Sequence, residues 1–311
     1  PCARAKALGE RQVSSGHAAQ AAANRRGILY MCAAMAGFVA NDALVKYASQ
    51  SLPAAQLIFL RGVMATTLVL AVAQGLGAMP RIALAAQPQV MVRACVDAVA
   101  TLMYLWALFH LPMANAIAIN LSTPIFLSIF AAVFLREQVG AVRWAAIGAG
   151  FLGVLLIIQP QSQGFNAFAL LCLLATILHA VRDLLTRRIP ASTPAILITL
   201  ATAATITVVS GLVSLVQGWQ GFGARELGLL GLASVFLACG YYFIISSMRQ
   251  GDMSLTAPFR YSGLLLALVL GYLVWGDVPN TLAWCGIALL VGSGLFMLWC
   301  ERLRVRRLAA S

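Results

Sequence analysis

Charged residues are scarce in this chain, and acidic residues are the scarcest. Only 10% of its 311 residues are Asp, Glu, Lys or Arg, whereas 61% are hydrophobic. An average soluble domain carries about 25% charged residues, so this composition excludes an ordinary soluble protein. Nine acidic residues stand against 21 Lys and Arg, which leaves a net charge of +12.

Several chemical signatures are also missing from the sequence. It contains no H-E-x-x-H, no G-x-S-x-G and no G-x-x-x-x-G-K-[ST] motif, which argues against an enzyme and against a nucleotide-driven pump. The seven cysteines show no paired metal-ligand spacing. We therefore predict apolar packing for the cysteines and expect neither a metal nor a cofactor.

Long apolar stretches are what the chain has in abundance. A bilayer core about 30 Å thick requires roughly 20 apolar residues per helix, and ten stretches meet or approach this length. We predict an all-α membrane protein with ten transmembrane helices, preceded by a disordered cytoplasmic tail (1–26) and followed by a basic one (301–311). The predicted helices are 27–48, 53–74, 92–111, 113–135, 143–158, 167–188, 194–216, 227–249, 254–275 and 281–300.

The second five stretches repeat the first five at a fixed offset. Asp42 and Pro53 recur as Asp183 and Pro194, each 141 positions later. A unit of five helices crosses a membrane an odd number of times, so its duplicate must be inverted. Two inverted five-helix repeats are the architecture of many secondary transporters. The predicted repeats are residues 27–158 and 166–300.

The basic residues are distributed unevenly around the predicted helices. If both termini are cytoplasmic, sixteen of the 21 Lys and Arg lie on the cytoplasmic side and only two lie near the other side. Such a bias predicts this orientation, here in a bacterial inner membrane. We expect the basic ends to contact anionic lipid head groups of the bilayer and not nucleic acid.

Short segments of the chain resemble the EamA family of the drug/metabolite transporter superfamily. They lie at the end of the first helix, in the second and fourth helices and around the fifth. The similar residues are Asn41 to Lys46, Gln56 to Gly62, Pro124, Leu135 to Glu137, Gly148 and Gly153.

The resemblance implies two inverted five-helix repeats and the transport of small metabolites. Members of the family export amino acids, including aromatic ones in YddG-type exporters, or move nucleosides, cofactors and other metabolites. We predict a secondary transporter of a small-molecule substrate, with amino-acid export as the leading hypothesis. Uptake or exchange of a nucleotide-like or vitamin-like cofactor stays open, as does a membrane scaffold without transport. A monomer is compatible with all three.

Ionisable residues inside the predicted helices are expensive, at roughly 2.5–3.5 kcal/mol each, so each needs a partner or a wet cavity. Their depths sort them into two layers, which we predict to act as gates. We expect Arg260 to bridge Asp97 or Asp183 when the cytoplasmic side is closed. The outer layer is Asp42, Lys46 and Arg61, and the inner layer is Asp97, Arg182, Asp183 and Arg260.

Polar side chains also recur at helical spacing and are predicted to face the protein interior. Pro124 and Pro258 are predicted to kink their helices and to free carbonyl groups toward the cavity. His179 lies deep in a predicted helix and can carry a coupling proton. The substrate-binding or gating candidates are Asp42, Arg61, Asp97, Thr101, Tyr104, Asn115, Asn120, Ser122, His179, Asp183, Tyr242, Ser246, Thr256 and Arg260.

Overall fold

Helices account for nearly all of the secondary structure in the computed structural model, which describes residues 2–134, 141–159, 166–186, 188–190, 192–250 and 257–310. No β-strand occurs within these ranges. Two 3₁₀ turns, Met79–Ala86 and Ala257–Tyr261, interrupt the series of α-helices. The α-helices are α1 (Cys2–Ala48), α2 (Ala54–Gly75), α3 (Pro88–His110), α4 (Met113–Asn120), α5 (Thr123–Phe134), α6 (Ala141–Ile158), α7 (Ala167–Thr186), α8 (Ala195–Gln217), α9 (Ala224–Gln250), α10 (Ser262–Trp275) and α11 (Thr281–Ala310).

The apolar helices follow the order predicted from the sequence. Among the described residues, seven helical segments are long and apolar enough to cross a membrane, and Met113–Phe134, which combines α4 and α5, is one of them. The remaining three predicted spans correspond to shorter apolar helices, Trp144–Ile158, Phe259–Trp275 and Thr281–Met297. The prediction of a disordered N-terminal tail is wrong, because α1 begins at Cys2 and runs on without a break.

Proline and glycine set the ends of several helices. Pro53 and Pro194 immediately precede α2 and α8, where a missing N–H group leaves no hydrogen bond unmade. At the other end, Gly218 and Gly276 follow α8 and α10 with φ angles of 83° and 69°. Glycine adopts this left-handed conformation without steric penalty, so these positions terminate the helices sharply.

The fourth predicted span is broken in its middle, as Pro124 predicted. Helix α4 ends at Asn120 and α5 begins at Thr123. The prediction that free carbonyl groups would point into a cavity is wrong at this break. The hydroxyl of Ser122 donates to the carbonyl of Ile119, and that of Thr123 donates to the carbonyl of Asn120, both at 2.6 Å. Pro258 likewise lies in a 3₁₀ turn before α10.

The principal helix pairs each join one half of the chain to the other. Helix α1 packs mainly on α9, α2 on α8, α3 on α7, and α6 on α11. The hydroxyls of Thr66 and Thr207, which are 141 positions apart in sequence, lie 3.1 Å from each other. Equivalent residues of two repeats touch only beside a symmetry axis, so this contact supports an inverted duplication.

Helices α6 and α11 approach most closely through two glycines. A Cβ atom on Gly153 would lie 2.8 Å from the carbonyl oxygen of Gly286, and one on Gly286 would lie 2.6 Å from that of Gly153. Small residues at such a crossing allow membrane helices to pack backbone to backbone.

The alternating helices place the connections at two opposite ends of the bundle. We call the end where α1 and α3 finish the Lys46 end, and the end where α7 finishes the Arg182 end. The largest apolar core extends along the Lys46 half of the bundle and includes the fully buried Leu105, Leu108 and Met113. Polar side chains interrupt this core between the two ends.

Candidate functional site

A line of buried and half-buried polar side chains begins on α2 and crosses the middle of the bundle. Arg61 donates from Nη1 to the Asn41 side-chain oxygen at 3.2 Å. Asn41 in turn donates to one carboxylate oxygen of Asp42 at 2.9 Å, and the Tyr104 hydroxyl donates to the other at 2.9 Å. Both oxygens of Asp42 are thus held by neutral groups of α1 and α3.

The line of polar side chains continues from Tyr104 into the second half of the protein. The Tyr104 ring lies 6.1 Å from the His179 ring of α7, centroid to centroid. Nδ1 of His179 lies 3.0 Å from the side-chain oxygen of Asn120, the last residue of α4. The broken fourth span therefore places an amide beside the buried histidine. We call Arg61, Asn41, Asp42, Tyr104, His179 and Asn120 the central polar chain.

An ionic cluster follows one helical turn beyond His179, toward the Arg182 end. Nη1 of Arg182 lies 2.9 Å from Asp97, and Nη2 lies 2.9 Å from Asp183. The second oxygen of Asp97 lies 3.2 Å from Nη1 of Arg93, one turn earlier on α3. Because Asp97 belongs to the first repeat and Arg182 to the second, this Arg182 cluster joins the two halves.

A separate contact between the halves lies at the Lys46 end. Lys46 donates to the carbonyl of Leu111, and its ammonium lies 5.1 Å from the centre of the Trp275 ring. Its nitrogen is also 3.9 Å from a carboxylate oxygen of Asp277. The sequence grouped Lys46 with Asp42 and Arg61, but Lys46 has its own partners near the helix ends. That grouping is therefore wrong.

Arg260 does not make the ion pair predicted for it. Within the described residues, it pairs with neither Asp97 nor Asp183, and Arg182 contacts both. The Arg260 side chain is exposed, and its 3₁₀ turn packs against α1, α10 and α11. The bridge between the halves thus involves the expected acids but a different arginine.

The other candidates predicted from the sequence differ in their burial and in their hydrogen-bond partners. Thr101 is half-buried on α3, and Ser122 is buried at the break of the fourth span. Asn115 of α4 has a buried side-chain oxygen without a hydrogen-bond partner. Tyr242 is 66% exposed, so the prediction that it faces the interior is wrong. Ser246 is half-buried on α9, and Thr256 lies outside the described residues.

Sequence reasoning missed two members of the site. Asn41 connects Arg61 to Asp42, and Arg93 is the second partner of Asp97. The four-residue spacing of Arg93 and Asp97 on one helix was a usable signal, because such pairs lie on the same helical face. Nothing in the sequence showed that the Asn41 amide turns toward α2.

The arrangement suits recognition of polar solutes better than covalent chemistry. The central polar chain offers a guanidinium, a carboxylate, a phenol and an imidazole in a largely buried setting, where electrostatic contacts are strong. In the described parts of the chain, no three His, Cys, Asp or Glu residues come together as metal ligands. A groove of about 460 Å³ between α6 and α11 is almost wholly apolar, with Ser293 as its one polar lining residue.

Comparison with protein families gives two matches along this chain. The model of the EamA-like transporter family matches residues 25–159 and again residues 166–299. A solved crystal structure shares the fold, with a TM-score of 0.60 over 90% of this chain and 99% of that chain, at 19% sequence identity. The family unit thus occurs twice, at positions that correspond to the two repeats.

Curated relatives are transporters of different small molecules. A pseudopaline exporter, CntI, of Pseudomonas aeruginosa is 30% identical over 86% of this chain and 94% of its own length. A riboflavin transporter of Rhizobium johnstonii is 32% identical over 63% of this chain, and this match spans 65% of that protein. An S-adenosylmethionine uptake transporter of Rickettsia conorii is 26% identical over 63% of this chain and 66% of that protein.

Proposed function

Because this chain belongs to the EamA-like transporter family, we propose that it is a secondary transporter that moves a small organic metabolite across a membrane by alternating access. The central polar chain is the proposed substrate path. The single observation that carries this proposal is the line of buried and half-buried polar groups in contact from Arg61 to His179, drawn from both repeats. Ionisable groups at this depth are energetically costly, and their presence inside a membrane helix therefore suggests a functional site.

Two inter-repeat contacts supply the proposed gates. Asp97 and Arg182 join the halves at one end, and Lys46 and Asp277 join them at the other. Rocking of one repeat against the other would lengthen one contact while the other stays closed. The substrate would then meet the central polar chain from each side in turn.

The charge distribution supports an orientation for this carrier, with the Arg182 end and both termini in the cytoplasm of a bacterial cell. Two exposed positions test it in a cysteine-free background: Gly221, between α8 and α9, and Ala86, before α3. An impermeant maleimide should label the Gly221→Cys variant in intact cells and the Ala86→Cys variant only after permeabilisation. The reverse pattern would overturn the orientation.

Amino-acid export remains our leading proposal for the substrate and the direction. A zwitterion matches a path that offers both a guanidinium and a carboxylate, and an aromatic side chain could rest against Tyr104. The second candidate is a cofactor carrier, favoured by the relatives named for riboflavin and S-adenosylmethionine. A scaffold without transport would have no use for buried charges linked across the two repeats.

Counterflow into proteoliposomes tests the proposed transport directly. Vesicles that contain only this protein are loaded with one unlabelled solute from a panel of twenty amino acids, riboflavin and S-adenosylmethionine, and the uptake of its labelled form is measured. We expect at least one solute to exchange, and none in protein-free vesicles. If folded protein exchanges no member of the panel, the proposal of a small-metabolite carrier for these classes is wrong.

A further inference from the structure

Arg61 is a buried guanidinium with too few partners. Its side chain is only 7% exposed, and within the described parts of the chain it makes one hydrogen bond, to the neutral oxygen of Asn41. The Nε atom is buried and has no hydrogen-bond partner. A guanidinium carries five N–H donors, and leaving such donors unpaired inside a protein is unfavourable. The Arg61 guanidinium can therefore accept a further hydrogen-bonding partner besides Asn41.

The second repeat contains a natural comparison for this arginine. Arg182 occupies the position 141 residues after Asn41, directly before Asp183, just as Asn41 directly precedes Asp42. In the second repeat the guanidinium contacts two carboxylates, those of Asp97 and Asp183, each at 2.9 Å. Arg182 thus contacts two internal carboxylates directly, whereas Arg61 contacts none directly among the described residues.

Asp42 is close to Arg61 but does not neutralise it directly. Asn41 stands between the two, accepting from Arg61 and donating to Asp42. The remaining oxygen of Asp42 accepts from Tyr104. The two opposite charges are consequently held apart by one amide, an arrangement that can receive a molecule with both an anionic and a cationic group.

We infer that Arg61 is the receptor for the carboxylate of the transported metabolite, with Asp42 facing its cationic group. The inference rests on the proposed transport function and narrows its substrate class to amphoteric carboxylates. The planar fork of a guanidinium suits a carboxylate through two parallel hydrogen bonds. A phosphate dianion fits less well because the negative charge of Asp42 lies one amide away. The carboxylate would reach Arg61 when the Lys46 end opens.

Equilibrium binding to the purified full-length chain tests this assignment without a need for transport. The probes are the twenty amino acids, S-adenosylmethionine, riboflavin and L-phenylalaninol, in which a hydroxymethyl group replaces the carboxylate of phenylalanine. The variants are Arg61→Gln and Arg61→Lys, and Arg225→Gln serves as the matched control because that arginine is exposed. Gel filtration verifies that each variant is folded before its affinities are compared.

We expect at least one carboxylate-bearing probe to bind the unchanged protein. Arg61→Gln should lower the affinity for that probe by roughly 30-fold or more, as when one partner of a buried charge pair is removed. Arg61→Lys should weaken it less, since the charge remains but the fork is lost. Binding of L-phenylalaninol should be weak and unaffected by either change, and Arg225→Gln should bind all probes normally. If Arg61→Gln does not fold, the test is the affinity of Arg61→Lys, which should be lower than that of the unchanged protein for the carboxylate-bearing probe.

Two results would overturn the inference. One is undiminished binding of the carboxylate-bearing probes by both Arg61 variants, and the other is the absence of any carboxylate ligand. A protein that exchanges riboflavin but binds no carboxylate would refute this assignment and leave the transport proposal standing. Conversely, a protein that binds a carboxylate through Arg61 but shows no counterflow would support Arg61 as the carboxylate receptor. The same result would refute the proposal that the protein is a transporter.

Discussion

Replacing Asp97 with asparagine is expected to lower the free energy of unfolding by about 3–5 kcal/mol, the usual loss when one member of a buried ion pair is removed. The side chain is 8% exposed, and its two oxygens contact Arg182 at 2.9 Å and Arg93 at 3.2 Å. The substitution leaves two arginines facing an uncharged amide. Unfolding of the purified protein in detergent measures the change, and counterflow should fall in parallel because the same bridge joins the repeats.

A double-mutant cycle separates the Asp97–Arg182 bridge from its surroundings. The Asp97→Asn and Arg182→Gln changes together should destabilise the protein by about 0.5–3 kcal/mol less than the sum of the single changes. Asp277→Asn is the control, because its carboxylate lies 3.9 Å from Lys46 and is 27% exposed, and it should change stability by less than about 1 kcal/mol. Strict additivity, or an equally large effect of Arg260→Gln, would argue against the Arg182 bridge.

Removing the hydroxyl of Tyr104 is expected to slow transport by roughly 10-fold to 100-fold, the equivalent of a hydrogen bond to a charged group. The phenol donates to Asp42 at 2.9 Å, and its ring lies between Asp42 and His179. Tyr104→Phe keeps the ring and its packing, so the fold should survive. Asp42→Asn should reduce the rate at least as strongly, because it removes the charge itself from the proposed path.

Initial rates of counterflow measure both changes, normalised to the amount of folded protein in the vesicles. Arg225→Gln serves as the control and should retain its rate within about threefold, since that arginine is exposed and lies outside the central polar chain and both proposed gates. Normal transport rates for both Tyr104→Phe and Asp42→Asn would show that the central polar chain contributes to helix packing and not to transport. The proposed path would then have to lie elsewhere in the bundle.

Periodicity and spacing were sufficient for most of the fold. The offset between Asp42 and Asp183 predicted two inverted units, and the contact of Thr66 with Thr207 at the same offset agrees with that duplication. Pro124 predicted the break that separates α4 from α5. These features depend on local chain geometry and on the length of an apolar run, both of which one sequence records.

Contacts between helices were predicted less well, because depth along a helix does not specify direction around it. Arg182 and Arg260 lie at similar depths, yet only Arg182 turns toward Asp97. Lys46 was grouped with Asp42 and Arg61 by depth, but its side chain points toward Asp277. The exposed Tyr242 shows the same limit, since a polar stripe does not reveal which helix covers it.

The pairing of helices across the two halves also governs the order in which this protein can assemble during synthesis. The pairs α3–α7, α2–α8 and α1–α9 are nested in the sequence, so they can form from the inside outward as the second half leaves the ribosome. Helices of the first half must wait in the lipid without their main partners. In the folded protein Arg93 contacts one oxygen of Asp97 from the same helix, whereas the second partner, Arg182, lies on α7 and is synthesised later. A nascent chain halted before α7 would therefore leave the first half exposed to quality-control proteases.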